Sequence, residues 1–224
     1  MVCDKGKGIA VKAGIIVNAS AGKFGYIKKV ISRLKEVFEE IVTGSGRFGG
    51  DFLEDVETID VAFNDFKNAI GSLTVELSKR SDVIVSVGGD GTNNEVVNGF
   101  FEDGELINPE AVFGVVCSGT GSDFIKTAGI PRDFKESVPM LAGRNYRLID
   151  IGWMEHLDHS GKKVERYFIN IASFGVGGAV DALVNRSKKL FGGKVAFLWA
   201  SFRAGLFYQN QPVELELDGK KLER

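Results

Sequence analysis

The chain has 224 residues, of which 44% are hydrophobic and 26% charged, with a formal net charge of −2. This composition is ordinary for a globular protein and excludes collagen, coiled coil and wholesale disorder. A near-neutral charge argues against a nucleic-acid binder, which would usually be basic. The sequence has no apolar run of about 18 residues and carries charges near its start, so it predicts neither a membrane span nor a signal peptide. We therefore expect a cytoplasmic protein of one large domain or two small ones.

The first elements predicted along the chain are a buried strand and two helices. Residues 13–18 (AGIIVN) form a short apolar run that predicts a strand, followed by a polar loop from Asn18 to Gly22. Apolar residues at helical spacing predict one amphipathic helix over residues 26–42 and another over residues 61–80. A strand that leads through a polar loop into a helix begins an α/β pattern.

Two further apolar runs continue this pattern. Residues 83–87 (VIVSV) and 112–117 (VFGVVC) are rich in β-branched residues, as expected for strands that are buried on both faces. Each run leads into a glycine-rich loop and then a segment of helical character. The repeated order of strand, loop and helix predicts an α/β domain with a parallel sheet, which we place at residues 1–146. Ligands of such sheets bind beyond the carboxyl ends of the strands, where all three loops fall.

The pattern changes after residue 147. Residues 147–156, 164–174 and 212–222 are alternating or short apolar runs joined by turn residues, which predicts antiparallel strands. A segment over residues 181–207 interrupts these runs and is predicted to be partly helical. We therefore predict a second domain over residues 147–224 that is β-rich, sandwich-like and incomplete.

The strongest functional signal is the segment VGGDGTNNEVVNG, which begins at Val87. Its first three glycines lack Cβ atoms, so backbone N–H groups could approach a polyphosphate, and a helix beginning near Thr92 would direct its N-terminus at the same point. A carboxylate beside phosphates requires a cation or a proton between them. Asp90 therefore suggests phosphoryl transfer assisted by Mg²⁺, with Asp90 as the candidate catalytic residue and metal ligand. The alternative is an ordinary strand-to-helix turn with incidental glycines.

Two companion loops follow the other predicted strands. The loop Asn18–Gly22 offers an amide, a hydroxyl and backbone N–H groups, although polar turns of this kind often precede a helix without binding anything. The loop that begins at Ser118 (SGTGSDF) offers hydroxyls for phosphate or ribose. Asp123 in this loop has two interpretations that stay open: a helix cap, or a direct role at the site.

A basic and aromatic segment lies in the predicted second domain. No acidic residue occurs between Asp181 and Glu214, whereas basic and aromatic residues are frequent over residues 186–208. Such a segment could lie on an anionic bilayer surface as a peripheral contact. The alternative, which we favour slightly, is a core helix whose basic residues form its solvated face.

The segment GGDGTNNEVVNG resembles the signature of the diacylglycerol kinase catalytic family, which includes bacterial lipid kinases and has sphingosine and ceramide kinases as relatives. The loop Asn18–Gly22 is similar to the family's N-P-x-S-G loop, with alanine in place of its proline and its serine. Residues 119–124 are similar to G-T-x-N-D-F, with Ser122 in place of asparagine. Residues 148–152 and 168–173 resemble the opening strands of the family's second, β-rich domain.

This resemblance implies a nucleotide domain like that of NAD kinases and phosphofructokinases, with ATP between the two domains and its phosphates on the GGDGT loop. It also implies that Mg²⁺ assists transfer of the γ-phosphoryl group to a lipid hydroxyl at a membrane surface, and it allows a homodimer. Thr58 corresponds to a nucleotide-contacting threonine that the family places after its second strand. The motifs and the resemblance together nominate as nucleotide-binding positions Asn18, Ala19, Ser20, Ala21, Gly22, Thr58, Gly88, Gly89, Asp90, Gly91, Thr92, Asn93, Asn94, Glu95, Gly119, Thr120, Ser122 and Asp123.

The resemblance also implies that parts of the catalytic machinery lie elsewhere. The family has a structural magnesium site and a D-G-E segment, thought to supply the catalytic base, further along its C-terminal part than Arg224. The chain is therefore expected to be either a piece of a longer protein or a nucleotide-binding remnant. Two alternative functions follow: an NAD kinase-like or other small-molecule kinase, and a nucleotide-binding protein without catalytic activity.

Overall fold

A computed structural model describes most of the chain. The described residues are 12–18, 24–42, 56–61, 66–119, 121–141, 146–158, 160–186, 193–209 and 212–222. The chain divides into two compact units, residues 1–170 (unit 1) and residues 171–224 (unit 2). The boundary that the sequence predicted after residue 146 stays a prediction, and unit 1 extends past it.

Unit 1 contains a parallel sheet, covering helices and two hairpins. Its strands are β1 (Ala13–Asn18), β2 (Val56–Val61), β3 (Val83–Gly88), β4 (Phe101–Glu102), β5 (Glu105–Leu106), β6 (Val112–Cys117), β7 (Gly152–Leu157) and β8 (Lys163–Phe168). Its helices are α1 (Phe24–Val42), α2 (Phe66–Ser78), α3 (Asp90–Asn98), α4 (Asp123–Ala128) and α5 (Phe134–Leu141). Unit 2 contains α6 (Val176–Arg186), α7 (Gly193–Phe207), β9 (Leu215–Leu217) and β10 (Lys220–Leu222).

Four parallel strands form the sheet of unit 1 in the order β2-β1-β3-β6. In this register Val17 of β1 lies opposite Val87 of β3, and Val87 lies opposite Val116 of β6. The carboxyl ends of these three strands are therefore adjacent. The loops that follow them begin at the same edge of the sheet, as the sequence predicted.

Alternate residues of the strands pack into two hydrophobic clusters because side chains alternate across a sheet. One cluster joins Ile15, Val17, Val85, Val87 and Val116 of the sheet to Val30 and Leu34 of α1 and Val138 of α5. The other joins Ile16 and Ile84 to Ile70 and Leu77 of α2 and Val96 of α3. Helices thus cover both faces of the sheet, which explains why its central strands are apolar on both sides.

One strand of the sheet was not predicted from the sequence pattern. Val61, expected to begin a helix, is the last residue of β2, and α2 begins only at Phe66. Strand β2 lies at an edge of the sheet and contains Glu57 and Asp60. An edge strand with two acidic residues lacks the continuous apolar run that identified β1, β3 and β6, so its sequence did not indicate a strand.

The strands after residue 147 pair as two separate hairpins. Strands β7 and β8 form an antiparallel pair in unit 1, and β9 and β10 form another in unit 2. Asp218 and Gly219, which join β9 to β10, both have positive φ angles of 50° and 75°, as expected for an Asp-Gly turn of a two-residue hairpin loop. The predicted helical segment over 181–207 corresponds to α6 and α7. Among the described helices, none combines the length and the apolarity that crossing a bilayer requires.

Candidate functional site

The candidate site lies at the carboxyl edge of the parallel sheet, at the N-terminus of α3. Two of the three predicted loops meet there: the loop after β3 and the loop after β6. Residues 19–23 and Thr120 lie outside the described residues. The nucleotide-binding roles predicted for Ala19, Ser20, Ala21, Gly22 and Thr120 therefore stay predictions.

The loops after β3 and β6 touch through their backbones. A Cβ atom on Gly119 would lie 2.5 Å from the Cα of Gly89, and a Cβ atom on Gly89 would lie 3.2 Å from the Cα of Gly119. The N–H of Ser118 also donates a hydrogen bond of 2.9 Å to the carbonyl of Gly88. Any side chain at position 119 would push the loops apart, so glycine is required here for close approach.

The first turn of α3 points uncapped N–H groups out of this edge. Gly89 occupies the N-cap position and provides no side-chain cap, while its carbonyl accepts the first helical hydrogen bond from the N–H of Asn93 at 3.0 Å. Gly91 is exposed, and a Cβ atom there would meet nothing within 4 Å. Because Gly89 has no side chain to cap the first turn, the N–H groups of this turn and the positive end of the helix dipole favour an anion such as a phosphate.

Asp90 connects the two loops. Its Oδ1 accepts a hydrogen bond from the N–H of Phe124 at 3.1 Å, and its Oδ2 accepts one from the N–H of Asp123 at 3.2 Å. Asp90 thereby caps α4 from the neighbouring loop. Ser122, the N-cap residue of α4, has a left-handed φ of 61° and makes no side-chain cap bond. The carboxylate of Asp90 thus holds together the two halves of the site.

The predicted capping role of Asp123 is wrong. Asp123 is the first residue of α4 rather than its N-cap, and its side chain forms an exposed ion pair of 2.7 Å with Lys126. Asp90 makes the capping bonds instead, from a residue distant in sequence. The second interpretation, a direct role of Asp123 at the site, stays open.

The residues at this edge fit a magnesium ion. A Cβ atom on Gly121 would lie 3.0 Å from Oδ2 of Asp90 and 3.7 Å from Oδ2 of Asp123, so two carboxylate oxygens border the space that this glycine leaves. Mg²⁺ is commonly held by one or two carboxylates together with water and substrate phosphates. Among the described residues, no group of three or more His, Cys, Asp or Glu side chains forms an all-protein metal cage. The donor set is therefore one that suits Mg²⁺ shared with a phosphate.

Three of the residues predicted to bind nucleotide, Asn18, Thr92 and Asn93, form hydrogen bonds inside the protein. Nδ2 of Asn18 donates to Oγ1 of Thr92 at 3.0 Å, and Oγ of Ser86 donates to Oδ1 of Asn93 at 2.8 Å. All four side chains are buried. These bonds tie the ends of β1 and β3 to the start of α3. Gly88 lies directly against the Thr92 side chain, and a Cβ atom at position 88 would overlap it.

Three further predicted ligands lie in α3 and β2. Glu95 is buried and accepts a hydrogen bond of 2.7 Å from Nη2 of Arg166. Asn94 is half-buried in α3. Thr58, expected after the second strand, lies within β2 opposite Ile15 of β1.

The loop after β6 has supports that sequence reasoning missed. The hydroxyl of Tyr26 donates to the carbonyl of Cys117 at 2.9 Å, and Nη2 of Arg132 donates to the carbonyl of Gly119 at 3.0 Å. Burial, together with nearby Cys117 and Asp133, raises the pKa of Tyr26 against the lowering effect of Arg132. Tyr26 stood in the predicted helix over 26–42, where its spacing indicated only a position on the helix and not a polar contact.

A sequence model of the diacylglycerol kinase catalytic domain matches residues 12–154, which is well over half of the chain. The chain belongs to the diacylglycerol kinase catalytic domain family. The resemblance stated from GGDGTNNEVVNG is therefore confirmed. The matched region includes the parallel sheet, the loops after β3 and β6, and Asp90.

Two diacylglycerol kinases to which the chain is similar are longer than the chain. The chain is 29% identical over 217 residues to the diacylglycerol kinase of Bacillus subtilis (strain 168), covering 93% of this chain and 60% of that protein. It is 32% identical over 155 residues to the diacylglycerol kinase of Staphylococcus carnosus (strain TM300), covering 67% of this chain and 46% of that protein. The chain thus spans less than two thirds of the length of these relatives.

Two solved structures from Bacillus anthracis str. Sterne share the fold. A structure of a diacylglycerol kinase covers 77% of this chain and 52% of that chain, with a TM-score of 0.53 and 20% identity. A second structure covers 97% of this chain and 63% of that chain, with a TM-score of 0.62 and 18% identity. These likenesses confirm the predicted fold class, an N-terminal parallel sheet with helices followed by a region of small strands.

Proposed function

We propose that this protein is an ATP-dependent lipid kinase that transfers the γ-phosphoryl group to the hydroxyl of a diacylglycerol-like lipid. The observation that carries the proposal is the junction at the N-terminus of α3, where Gly89 and Gly119 touch and Asp90 bridges the two loops, in a member of the diacylglycerol kinase catalytic domain family. Open N–H groups beside a carboxylate suit a phosphate accompanied by a divalent cation.

In the proposed reaction the chain acts mainly by positioning. The N–H groups of the first turn of α3 bind phosphate oxygens, and the open space beside Gly91 admits them. Asp90 and Asp123 are the residues that would hold Mg²⁺, which, when bound, supplies positive charge against the charge that develops on the transferred group. The hydrogen bonds from α4 hold Asp90 in place before the reaction, so little reorganisation is needed at the moment of transfer.

The lipid acceptor is supported by the relatives from Bacillus subtilis and Staphylococcus carnosus, which are both diacylglycerol kinases. A lipid acceptor lies in a membrane, so we further propose that the segment 186–208 contacts an anionic bilayer. Helix α7 exposes Leu198, Trp199, Phe202, Leu206 and Phe207, and Arg203 is exposed among them. Exposed aromatic and apolar side chains next to a cation, in a segment without acidic residues, suit the headgroup region of such a bilayer.

The test is a transfer assay on the full-length protein with radiolabelled ATP and Mg²⁺, using diacylglycerol, a sphingoid base and NAD as separate acceptors. We expect label in diacylglycerol alone. The Asp90→Asn variant should lower transfer by about a hundredfold or more, since it weakens both the proposed cation site and the bridge between the loops. Asp103→Asn is the matched control, because Asp103 is exposed in the turn between β4 and β5 and should transfer at the wild-type rate.

The other outcomes separate the alternatives. Transfer of label to NAD would indicate a small-molecule kinase rather than a lipid kinase. Binding of Mg·ATP without transfer to any acceptor would favour a nucleotide-binding protein without catalytic activity. Wild-type turnover by Asp90→Asn would remove Asp90 from the proposed mechanism.

A further inference from the structure

The β7–β8 hairpin is joined to α3 by side chains of the motif that also forms the phosphate-facing loop. The carboxamide of Asn98 binds both backbone groups of Tyr167 in β8: its Oδ1 accepts from the Tyr167 N–H at 2.9 Å, and its Nδ2 donates to the Tyr167 carbonyl at 2.9 Å. The same Nδ2 donates to the carbonyl of Asn94 at 2.7 Å. Asn98 thus pairs with the outer edge of β8 as a neighbouring strand would.

A charged contact lies beside this amide. Nη2 of Arg166 in β8 donates to Oε1 of Glu95 at 2.7 Å, and the Glu95 side chain is only 7% exposed, compared with 33% for Arg166. A buried carboxylate is costly without a partner. Arg166 is therefore what allows Glu95 to lie inside the protein, and Glu95 in turn determines where Arg166 lies.

An aromatic contact completes the attachment. The rings of Phe101 in β4 and Tyr167 are stacked, with centroids 3.8 Å apart and an angle of 12° between their planes. Two successive residues of β8 are therefore held by three contacts of different kinds: an ion pair, a two-way amide bond and a ring stack. Together these contacts attach β8 to α3 and to β4.

The contacts lie on the helix face that leads to the open edge. Gly91, Glu95 and Asn98 are spaced by four and then three residues, so they share one face of α3. Gly91 is the exposed residue of the first turn, where we place the phosphates. The hairpin therefore lies along the same side of α3 as the proposed phosphate site.

We propose that Glu95, Asn98 and Arg166 are positioning residues that fix the β7–β8 hairpin on α3 and thereby hold the α3 N-terminus in its nucleotide-binding position. This inference rests on the proposed function and deepens it, because it separates GGDGTNNEVVNG into two parts. The first part, Gly89 to Gly91, faces the phosphates. The second part, Glu95 to Asn98, fastens the hairpin and touches no nucleotide.

The main test compares two identical substitutions in the 224-residue chain. Asn98→Asp keeps the acceptor for the Tyr167 N–H but places a carboxylate against two carbonyl oxygens. Asn108→Asp is the matched control, since Asn108 also bridges backbone groups, accepting from the N–H of Glu110 and donating to the carbonyl of Ser81 away from the hairpin. The measurements are the Tm, hydrogen exchange of the amides of residues 152–168, and the Kd of Mg·ATP by calorimetry.

We expect Asn98→Asp to speed exchange in the hairpin and to raise the Kd of Mg·ATP by about threefold to thirtyfold, the range for residues that act on a site through packing. Asn108→Asp should lower the Tm without changing either quantity. If Asn98→Asp lowers the Tm but leaves the Kd at the wild-type value, the positioning role is overturned. If the wild-type chain itself binds no Mg·ATP, the proposed function fails, while hydrogen exchange still tests the attachment of the hairpin.

A second pair of variants covers the case in which Asn98→Asp does not fold. Glu95→Arg alone should weaken Mg·ATP binding, and the double variant Glu95→Arg with Arg166→Glu should restore most of the lost affinity by re-forming the pair in reverse. Recovery supports the positioning role, because neither side chain could replace the other as a nucleotide ligand. Absence of recovery in a folded double variant contradicts it.

Discussion

Units 1 and 2 bury their apolar residues to different extents. In unit 1 all six residues of β1 are buried, and helices cover both faces of the sheet. Among the described residues of unit 2, Val180, Ala200 and Ala204 are the buried hydrophobic residues, whereas Trp199 is 66% and Phe207 is 76% exposed. The comparison shows that the helices of unit 1 bury its parallel sheet, although unit 1 also exposes apolar side chains outside the sheet, such as Leu148 and Trp153. Helix α7 of unit 2 presents apolar side chains along its length, which in the proposed function face lipid.

The largest expected effect tests this difference in packing. Ile16→Ala removes a fully buried side chain of β1 and should lower the free energy of unfolding by about 2–5 kcal/mol. Leu206→Ala, at a position 62% exposed on α7, should change it by about 0.5 kcal/mol or less. Urea denaturation followed by circular dichroism measures both. If the two variants lose the same free energy of unfolding, α7 is packed as tightly as the sheet, which contradicts the proposed difference between the two units.

The second prediction concerns the junction of the two glycine loops. Gly119→Ala places a methyl group against the backbone of Gly89, so the loops must separate. We expect a loss of about 1–3 kcal/mol of stability and weaker binding of Mg·ATP by at least about tenfold. Calorimetric titration with Mg·ATP and thermal unfolding are the measurements.

Two other glycines give the controls for this prediction. Gly71→Ala lies in α2 with nothing near its Cβ position and should gain about 0.5–1 kcal/mol without changing nucleotide affinity. Gly91→Ala has equally open space and should fold as well as the wild type, but its methyl group would stand where we place the phosphates. If the affinity for Mg·ATP is unchanged in both Gly91→Ala and Gly119→Ala, the nucleotide does not bind at the α3 N-terminus.

The third prediction addresses the exposed surface of unit 2. Arg203→Gln removes one positive charge from α7 and should weaken binding to anionic vesicles by about fivefold, the value expected for one basic residue near such a surface. Sedimentation with vesicles containing phosphatidylserine measures the binding. Lys221→Gln on β10 is the control, since it removes an exposed charge outside residues 186–208. Equal binding by both variants and the wild type would favour the core-helix interpretation of α7.

The smallest expected effect concerns the support of the loop after β6. Burial raises the pKa of Tyr26, so its folded-state value exceeds the unfolded value. The stabilisation from the neutral phenol, which donates to Cys117, is complete below about pH 10 and is lost as the pH rises from there through the folded pKa. Tyr26→Phe should therefore be less stable than the wild type by about 1 kcal/mol at about pH 8.

The same difference should shrink at about pH 11, since phenylalanine does not ionise. Urea denaturation of the two proteins at both pH values is the measurement. A difference that stays constant with pH would mean that ionisation of Tyr26 does not oppose folding.

The sequence predicted an element correctly where one short segment contains the whole pattern that identifies the element. Strands β1, β3 and β6 were predicted because each is an apolar, β-branched run that ends in a glycine-rich loop. The loop after Val87 was predicted as the site for the same reason, since glycines, an acid and a helix start occur together. Strand β2 was missed because an edge strand carries polar residues, and α3 begins at Asp90 rather than near Thr92.

The partners of the site residues could not be predicted in this way. Asp90 and Phe124 are 34 residues apart, and Glu95 and Arg166 are 71 apart. No local spacing indicates that Asp90 accepts hydrogen bonds from the first turn of α4, or that Glu95 and Asn98 contact the β7–β8 hairpin. Those contacts depend on the order of the strands in the sheet and on how the hairpin packs.

The sequence by itself determined the parallel α/β architecture and the position of the glycine-rich loop after β3, because hydrophobic patterning and glycine content act over a few neighbouring residues. Only the tertiary structure decided which residues of GGDGTNNEVVNG face the open edge and which support it. The physical reason is that a polar side chain takes the partner that folding brings within about 3 Å, whatever its distance along the chain.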